Sequence, residues 1–567
     1  MEKLVLSYCL ISYSIFTSVA LSQEPLVVVG GTALVAIAVL GYFIFTGPRP
    51  SIRRYSRGEI ISLAFLSAVF LPFVLLPPWK VDDLLYHVHM PSYLASNWAF
   101  PVDPWNINLN FPMLFELPTV LCKYFKVPAW HAPNYIFVLV LFTYLASNIT
   151  KHIDGSKRNM SYCIVVGVLT QEVFFELMAS NYVELFLSLV VVMGIVQYQT
   201  FLEKSNTRNW YLSCIFLGLA GATKYIGVYF FLLVLIYEFF RKERVKRYYL
   251  GLGFGLIVAL PWYLKSLILV GNPFYPYFSF AFPTENLSVE RSQFVFWVLD
   301  SYTQGRSWQD YLLLPVRLIV NLSFEPRPGF YGFGGYLSVL FFLTGLGFFC
   351  KRNTQILLVM IGGFYLILWA WGSQQVRFLL PVILLMLPAA LQQVLENLSR
   401  RKIRALYLIL AVAFMQNIYH VSQFADANGF LGFWLGKGTS AELVNRHNKK
   451  TMAIAPWVNR HLQKPKTKLW TIGNFGRSYP YNIEVLAITH FESEPFSRAF
   501  GEGRNDFQSL GKFLKKWQVT HIQYDREYMR NFYDGDLNFN WDGLNKYLVD
   551  NFRALVEIDS VIVFERL

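Results

Sequence analysis

The stretch Pro77-Pro78-Trp79-Lys80-Val81-Asp82-Asp83-Leu84-Leu85-Tyr86-His87-Val88-His89 puts two adjacent carboxylates, a phenol and two imidazoles at the end of a long apolar run. Such a set can take a proton from a hydroxyl, as a general base does, or help to hold a divalent cation. Carboxylates beside hydrocarbon are costly, because desolvation raises their pKa unless a cation, metal or hydrogen bond compensates, and they are usually functional. A plainer role is also open, since aspartates are favoured at helix N-termini and Asp82 and Asp83 could cap the helix that follows. His87 and His89 point about 200° apart on a helix and to one face only on an extended segment. The narrower metal option is therefore a single histidine joining Asp82, Asp83 or Glu184 around a divalent ion, against a default of satisfied loop histidines. Three further ionisable residues break an apolar background: Glu184 in Asn181-Tyr182-Val183-Glu184, Lys224 and Arg377. Guanidinium binds phosphate bidentately and ammonium binds it as a point charge, so Arg377 and Lys224 suit an anionic ligand; the alternative is snorkelling toward lipid headgroups.

These residues belong to a chain of 567 residues that is 54% hydrophobic and only 15% charged, with a mean hydropathy of +0.37. Soluble domains carry about 25% charged residues, so lipid is the solvent for much of this chain. Apolar stretches long enough to cross roughly 30 Å of hydrocarbon begin near Leu4, Leu26, Ile60, Tyr135, Tyr162, Tyr182, Trp210, Tyr225, Leu250, Tyr336, Ile356, Phe378 and Ala405, which predicts about thirteen spans. Basic residues cluster in alternate connections, among them Arg53, Arg54 and Arg57, Lys157 and Arg158, Arg241, Lys242 and Arg244, and Arg400, Arg401, Lys402 and Arg404. The positive-inside rule places those loops and the N-terminus in the cytoplasm and the C-terminus outside. The net charge of +14 is then largely a topology signal, and no nucleic-acid partner is expected. Residues 1–22 also fit a secretory signal peptide, with a charged start, an apolar run and a small-residue ending. Five cysteines, most of them in or beside apolar runs, offer neither a disulfide framework nor a zinc pattern.

On this topology residues 1–421 form a transmembrane domain with outer loops at 80–130 and 271–335, and 422–567 form a soluble outer domain. The tail reads as strand 468–473, helix 509–517, strand 519–524, helix 541–551 and an alternating hairpin over 554–564. The fold class expected is a polytopic α-helical membrane protein of about thirteen transmembrane helices with a C-terminal extracytoplasmic α/β domain. Lys224 and Arg377 are the only basic residues in the short outer turns of that topology.

An acidic pair opening the first large outer loop, Tyr86 three residues after its second member, and a soluble domain after the last span resemble the GT-C superfamily of integral-membrane glycosyltransferases. Within it the chain is most similar to the protein O-mannosyltransferase and aminoarabinose-transferase-like branch and its bacterial relatives. Asn110-Phe111-Pro112-Met113-Leu114-Phe115-Glu116 resembles a loop that in some relatives reads Lys-Pro-Pro-Leu, here without the lysine, and Asn181–Glu184 resembles their second acidic motif. The resemblance implies a sugar taken from a polyprenyl-phosphate carrier, Asp82 as catalytic base, and a location in a bacterial inner membrane. Asp83 stands where those enzymes have Glu.

On that resemblance a carboxylate on the acceptor hydroxyl and cations on the donor phosphate would give direct, inverting displacement. Glu184 joins Asp82 and Asp83 as a catalytic candidate, Arg377 and Lys224 as phosphate ligands, and Tyr86, His87 and His89 as substrate or metal contacts. The acceptor is a glycan, lipid or protein, and no cofactor beyond a divalent ion is suggested. Two other classes stay open: a lipid-linked glycan flippase or transporter, which also places charges within a bundle, and a ligase drawing a whole glycan from a lipid diphosphate.

Overall fold

The structure is a computed structural model of the chain, and it describes residues 1–48, 55–101, 106–150, 153, 155–240, 246–284, 287, 299–300, 302–320, 353–397, 399–464, 466–472, 481–487, 499, 507–527 and 541–567. The chain divides into two units. One comprises Met1–Leu76, Pro112–Tyr263 and Trp297–Leu431; the other comprises Pro77–Phe111, Leu264–Phe296 and Gly432–Leu567.

The first unit is built from apolar helices. Several start on side-chain caps: Ser56 Oγ accepts the Glu59 N–H at 3.2 Å, and Asn206 Oδ1 accepts that of Arg208 at 3.0 Å. Each satisfies a donor that a helix start leaves unmet. Val28, Phe45, Ile61, Leu75 and Phe240 point outward from their helices, a density of exposed apolar surface that water does not tolerate and lipid does. A Cβ at Gly218 would lie 2.2 Å from the Gly255 carbonyl oxygen, and one at Gly255 would lie 2.7 Å from that of Cys214. The helices Thr207–Thr223 and Lys246–Val270 thus meet backbone to backbone, the close approach that small residues allow between lipid-embedded helices. Helix Glu2–Leu21 is built into this unit, with Tyr8 donating to the Phe115 carbonyl at 2.6 Å and Phe16 against Trp262 at 4.6 Å between ring centres.

Among the described residues seven helices are long and apolar enough to cross a membrane: Glu2–Leu21, Glu24–Thr46, Arg57–Leu75, Ala132–Thr150, Glu184–Lys204, Tyr248–Val270 and Arg401–Ala427. An eighth is added if Lys157–Leu169 and Glu172–Met178, bent by 63°, make one span. This corrects the expectation of about thirteen. The stretch near Tyr162 breaks at that bend, and those near Trp210 and Tyr225 fold as helices of 17 and 14 residues. At a rise of 1.5 Å per residue the 17-residue helix reaches roughly 26 Å, short of the roughly 30 Å of hydrocarbon, and the other is described as far as Phe240. The stretches near Ile356 and Phe378 correspond to helix Asn353–Trp371 and to helix Leu380–Asn397 after the 3₁₀ turn Val376–Leu379, and the apolar segments recognised in them among the described residues are Gly362–Trp371 and Val376–Pro388. The span expected near Tyr336 lies outside the described residues, as do Arg53, Arg54, Arg241, Lys242, Arg244 and part of the 271–335 loop. A helix, Trp308–Val320, stands within the stretch expected as that loop. Apolar composition persists through helix breaks, so counting apolar runs overcounts spans.

The end of the second unit is rich in strand: β1 (Lys468–Ile472), β2 (Glu484–Ala487), β3 (His521–Asp525), β4 (Phe552–Ile558) and β5 (Val561–Arg566) form a sheet in the order β2-β1-β3-β5-β4. β1 pairs in parallel with β2 and β3, and β5 is antiparallel to β3 and β4, with Leu469 opposite His521 and Ile522 opposite Phe564. Alternate residues enter two cores. Trp470, Ile472, Ile522, Tyr524, Ile562 and Phe564 pack with Leu510, Phe513 and Leu548, while Leu469, Val561 and Val563 pack with Ile454 and Val458 of helix Ser440–His461. The period of two that made this tail readable as strands is what covers both sheet faces. Helix Ser440–His461 starts on a capping box in which Thr439 Oγ1 accepts the Glu442 N–H at 3.2 Å and Glu442 accepts that of Thr439 at 2.7 Å.

Candidate functional site

In the second unit the acidic motif is helical. Asp83–His87 forms one π-helical turn, with the Val88 N–H donating to the Asp83 carbonyl at 2.9 Å, and α-helix His89–Asn97 continues it. Insertions of this kind recur at functional sites because they re-aim the side chains around them. Residues four apart share a side of the turn: Asp82 and Tyr86 are half-buried on one side, Asp83 and His87 fully buried on another. The Tyr86 ring lies 4.0 Å from that of His87 and 5.9 Å from that of Phe111. His89 keeps some exposed surface, yet its apolar surroundings push its imidazole down to about 4, so it is neutral near pH 7. Among the described residues no group of three or more His, Cys, Asp or Glu gathers as a metal site.

Asn106 fixes the next segment to this turn, its Nδ2–H donating to the Leu85 carbonyl at 2.8 Å. There follows the 3₁₀ helix Ile107–Asn110. Lys265, fully buried on helix Lys246–Val270, brings Nζ within 3.5 Å of the Leu109 carbonyl and 5.5 Å of the Phe100 ring centre. Asn110, next in the chain to Leu109, is 1% exposed, and neither of its amide atoms has a hydrogen-bond partner. A buried polar group left unmet typically costs about 1–3 kcal/mol.

In the first unit Glu184, Lys224 and Arg377 come together. Glu184 opens helix Glu184–Lys204 and is fully buried; its Oε1 lies 2.7 Å from Lys224 Nζ and 3.5 Å from Arg377 Nε. Lys224 is the extended residue that ends helix Thr207–Thr223, and Arg377 sits in the 3₁₀ turn Val376–Leu379. The Arg377 guanidinium lies 4.1 Å above the Tyr182 ring, and Lys224 Nζ lies 4.6 Å from that of Phe378. Glu116 belongs to the same cluster. Burial pushes its carboxyl well above the usual range, and the Glu184 charge adds to that against the pull of Lys224. The Leu114 N–H, two residues earlier, donates to the Ala222 carbonyl at 3.3 Å and fixes this segment to the helix end that carries Lys224.

Neighbouring side chains set the turns that present these charges. Asn134 Nδ2 lies 2.9, 2.9 and 3.2 Å from the carbonyls of Leu177, Ser180 and Tyr182, gathering the turn before Glu184. The Trp369 indole donates to the Gln375 carbonyl at 2.8 Å and the Tyr365 hydroxyl to that of Phe378, one on each side of Arg377. Arg306 donates to the Ala370 and Gly372 carbonyls at 2.8 Å each and pairs with Asp300 at 2.7 Å, while the Gln304 N–H donates to Gln374 Oε1 at 2.7 Å.

The structure therefore gathers Glu184, Lys224 and Arg377 in one unit and Asp82, Asp83, Tyr86, His87 and His89 in the other. Sequence reasoning quoted the segment Asn110–Glu116 for its likeness to a loop and gave neither end residue a role, and it did not single out Lys265 or the residues that brace Arg377. The signal for Lys265 was present, because a lysine inside the apolar run from Leu250 disobeys its surroundings as Lys224 and Arg377 do.

The sequence model of a domain of unknown function (DUF8201) matches residues 125–384, a stretch that contains Glu184, Lys224 and Arg377. No curated protein sequence matches the chain. Among solved structures, the chain is similar to ArnT from Cupriavidus metallidurans bound to undecaprenyl phosphate (12% identity, TM-score 0.55, 90% of this chain and 99% of that one). It is similar also to the apo state of that protein (13% identity, TM-score 0.57, 90% and 98%). The chain shares the fold of these ArnT structures. At such identities the likeness establishes architecture alone, and the chemistry must be argued from the side chains.

Proposed function

We propose that the chain is a membrane glycosyltransferase that moves a sugar from a polyprenyl-phosphate-linked donor to an acceptor hydroxyl on the extracytoplasmic face, inverting the anomeric carbon, with Asp82 as general base. The acceptor hydroxyl gives its proton to the Asp82 carboxylate while its oxygen attacks the anomeric carbon. The bond from that carbon to the phosphate oxygen breaks, and its electron pair leaves with the carrier phosphate. General-base assistance is worth roughly 10²–10⁴ in rate, and direct displacement needs no covalent intermediate, hence inversion. Asp82 is the accessible member of the acidic pair; Asp83 and His87, buried on the same turn, support it. Tyr86, half-buried four residues on, is placed for a substrate contact.

Arg377 and Lys224 stabilise the charge that grows on the leaving phosphate, and Glu184 positions them. The observation that carries this reading is the convergence of both cations on one buried carboxylate at the ends of apolar helices. The fold shared with ArnT, a protein seen with undecaprenyl phosphate, supports the same carrier class. The acceptor is a glycan, lipid or protein hydroxyl, and the site of action a bacterial inner membrane with the C-terminal sheet outside. A divalent ion, if the reaction uses one, would draw on Asp82 or Asp83 with His87 or His89, and activity that resists chelators would eliminate it.

Purified protein given polyprenyl-phosphate-linked monosaccharides should release free carrier phosphate, and Asp82→Asn should cut that rate by roughly 10²–10⁴ at an unchanged melting temperature. Release unaffected by the substitution refutes the mechanism. Movement of intact donor across a bilayer without release would identify a flippase, and release only from a diphosphate-linked glycan a ligase.

A further inference from the structure

Asn110 closes the 3₁₀ helix Ile107–Asn110 with its side chain shut from solvent and both amide atoms, Nδ2 and Oδ1, without a hydrogen-bond partner. A polar group in that state destabilises the fold, and a leucine of similar size would not. Such a residue is explained when a ligand completes it. The surroundings indicate which ligand. The Lys265 Nζ lies 3.5 Å from the carbonyl of Leu109, the residue that precedes Asn110, so a basic side chain reaches the same short segment. Asn106 fixes the same short segment to the acidic turn through the Leu85 carbonyl at 2.8 Å, and Phe111, next in the chain, packs 5.9 Å from Tyr86.

We propose that Asn110 and Lys265 form a subsite that reads hydroxyl groups of the transferred sugar. The inference rests on the glycosyltransferase reading above and adds to it the group recognised. An amide with both ends unmet asks for a partner that donates and accepts, and neighbouring ring hydroxyls do both: one oxygen takes the Nδ2–H while the other hydroxyl donates to Oδ1. The Lys265 ammonium, a donor only, meets a hydroxyl lone pair beside them. A phosphate or carboxylate fits worse. It would accept from Nδ2 and from lysine, but it would set its negative charge against Oδ1 and leave that acceptor unmet.

The test compares the full-length wild type with Asn110→Leu, using polyprenyl phosphate without sugar, a polyprenyl-phosphate hexose, and the same donor lacking one ring hydroxyl. For the complete donor, kcat/KM should fall about 10²–10³-fold in Asn110→Leu, since a site built to hydrogen-bond a hydroxyl discriminates strongly once that bond is lost. The deoxy donor that is poorest for the wild type should be handled nearly alike by both proteins. Affinity for polyprenyl phosphate should not change, and the melting temperature should hold or rise. A fall in carrier-phosphate affinity as large as the fall for the donor would overturn the proposal in favour of a phosphate contact. A lowered melting temperature with uniform loss on every donor would overturn it in favour of a packing role. Should the wild type release carrier from no donor, the glycosyltransferase reading is what fails. Methyl hexosides then decide the subsite alone: a melting shift in the wild type but not in Asn110→Leu upholds it, and equal shifts refute it.

Discussion

Replacing Glu184 by Gln removes one negative charge and keeps nearly the same shape. Its Oε1 lies 2.7 Å from Lys224 Nζ and 3.5 Å from Arg377 Nε. At an effective dielectric constant of about 20, unit charges at those separations attract by roughly 6 and 5 kcal/mol before desolvation. Taking three ions out of water cancels most of this, and removing one partner of a buried pair typically costs about 3–5 kcal/mol. Lys224 and Arg377 keep 25% and 13% of their side chains exposed, which screens the pair. A loss of about 2–4 kcal/mol is therefore expected, read as an earlier unfolding transition of the purified protein in detergent. The second half of the prediction separates a phosphate grip from a purely structural pair. With the carboxylate gone, the two cations lose a shared counter-ion, and the phosphate of the carrier can take its place. Polyprenyl phosphate should bind Glu184→Gln about tenfold more tightly than wild type, equal to about 1.4 kcal/mol of additional ligand-induced stabilisation. Turnover should fall, because the cations are no longer held where the phosphate leaves. If polyprenyl phosphate stabilises both proteins equally, Arg377 and Lys224 do not hold the carrier; if the variant unfolds with the wild type, Glu184 does not hold the cations.

Arg306→Ala loosens the turn before Arg377 by removing contacts to Asp300, Ala370 and Gly372; the donor KM should rise about tenfold with kcat much less changed, and Arg306→Lys should restore part of it. A lower melting temperature without a KM effect would refute that positioning role. Glu116→Gln should leave melting temperature and turnover near wild type, because burial raises this carboxyl well above its usual range and disfavours the charged form; a large loss would show that its charged form is used. His89, held near 4 against an ordinary 6.5, binds its proton more weakly folded than unfolded. Its contribution to stability is present above about pH 6.5 and is lost as pH falls toward 4, a limb that His89→Gln should remove from the melting-temperature profile.

Much of this was legible in the sequence because the signals are local. The acidic motif is one helical turn, so its two carboxylates, phenol and imidazoles were readable as one local cluster from their spacing. The tail alternates with period two, and the readings at 468–473, 519–524 and 554–564 coincide in position with β1, β3 and the β4–β5 hairpin, whereas β2 has only four residues and no pattern to detect. Lys224 and Arg377 stood out by disobeying the charge bias of their side. What was not legible depends on distance along the chain. Glu184 meets Lys224 forty residues away, and no local pattern says that one carboxylate gathers both cations. Lys265 was hidden by averaging, since one lysine barely lowers the hydropathy of the 23-residue span that contains it.

The overcounted spans and the site share a cause. In hydrocarbon every backbone polar group must be satisfied within a helix, so a charged side chain can be presented by irregular backbone only where a helix stops inside protein. Thr207–Thr223 stops at 17 residues and the next residue is Lys224. Helix Asn353–Trp371 ends, and Arg377 lies in the 3₁₀ turn Val376–Leu379 that leads into helix Leu380–Asn397. The 63° break between Lys157–Leu169 and Glu172–Met178 precedes the turn, gathered by Asn134, that delivers Glu184. Each interruption gives a charge its position. A continuous helix through Lys224, made by replacing the extended backbone there with a helix-favouring run, should lengthen the span and abolish turnover while leaving the fold intact. Retained turnover in such a protein would mean that the breaks serve packing alone.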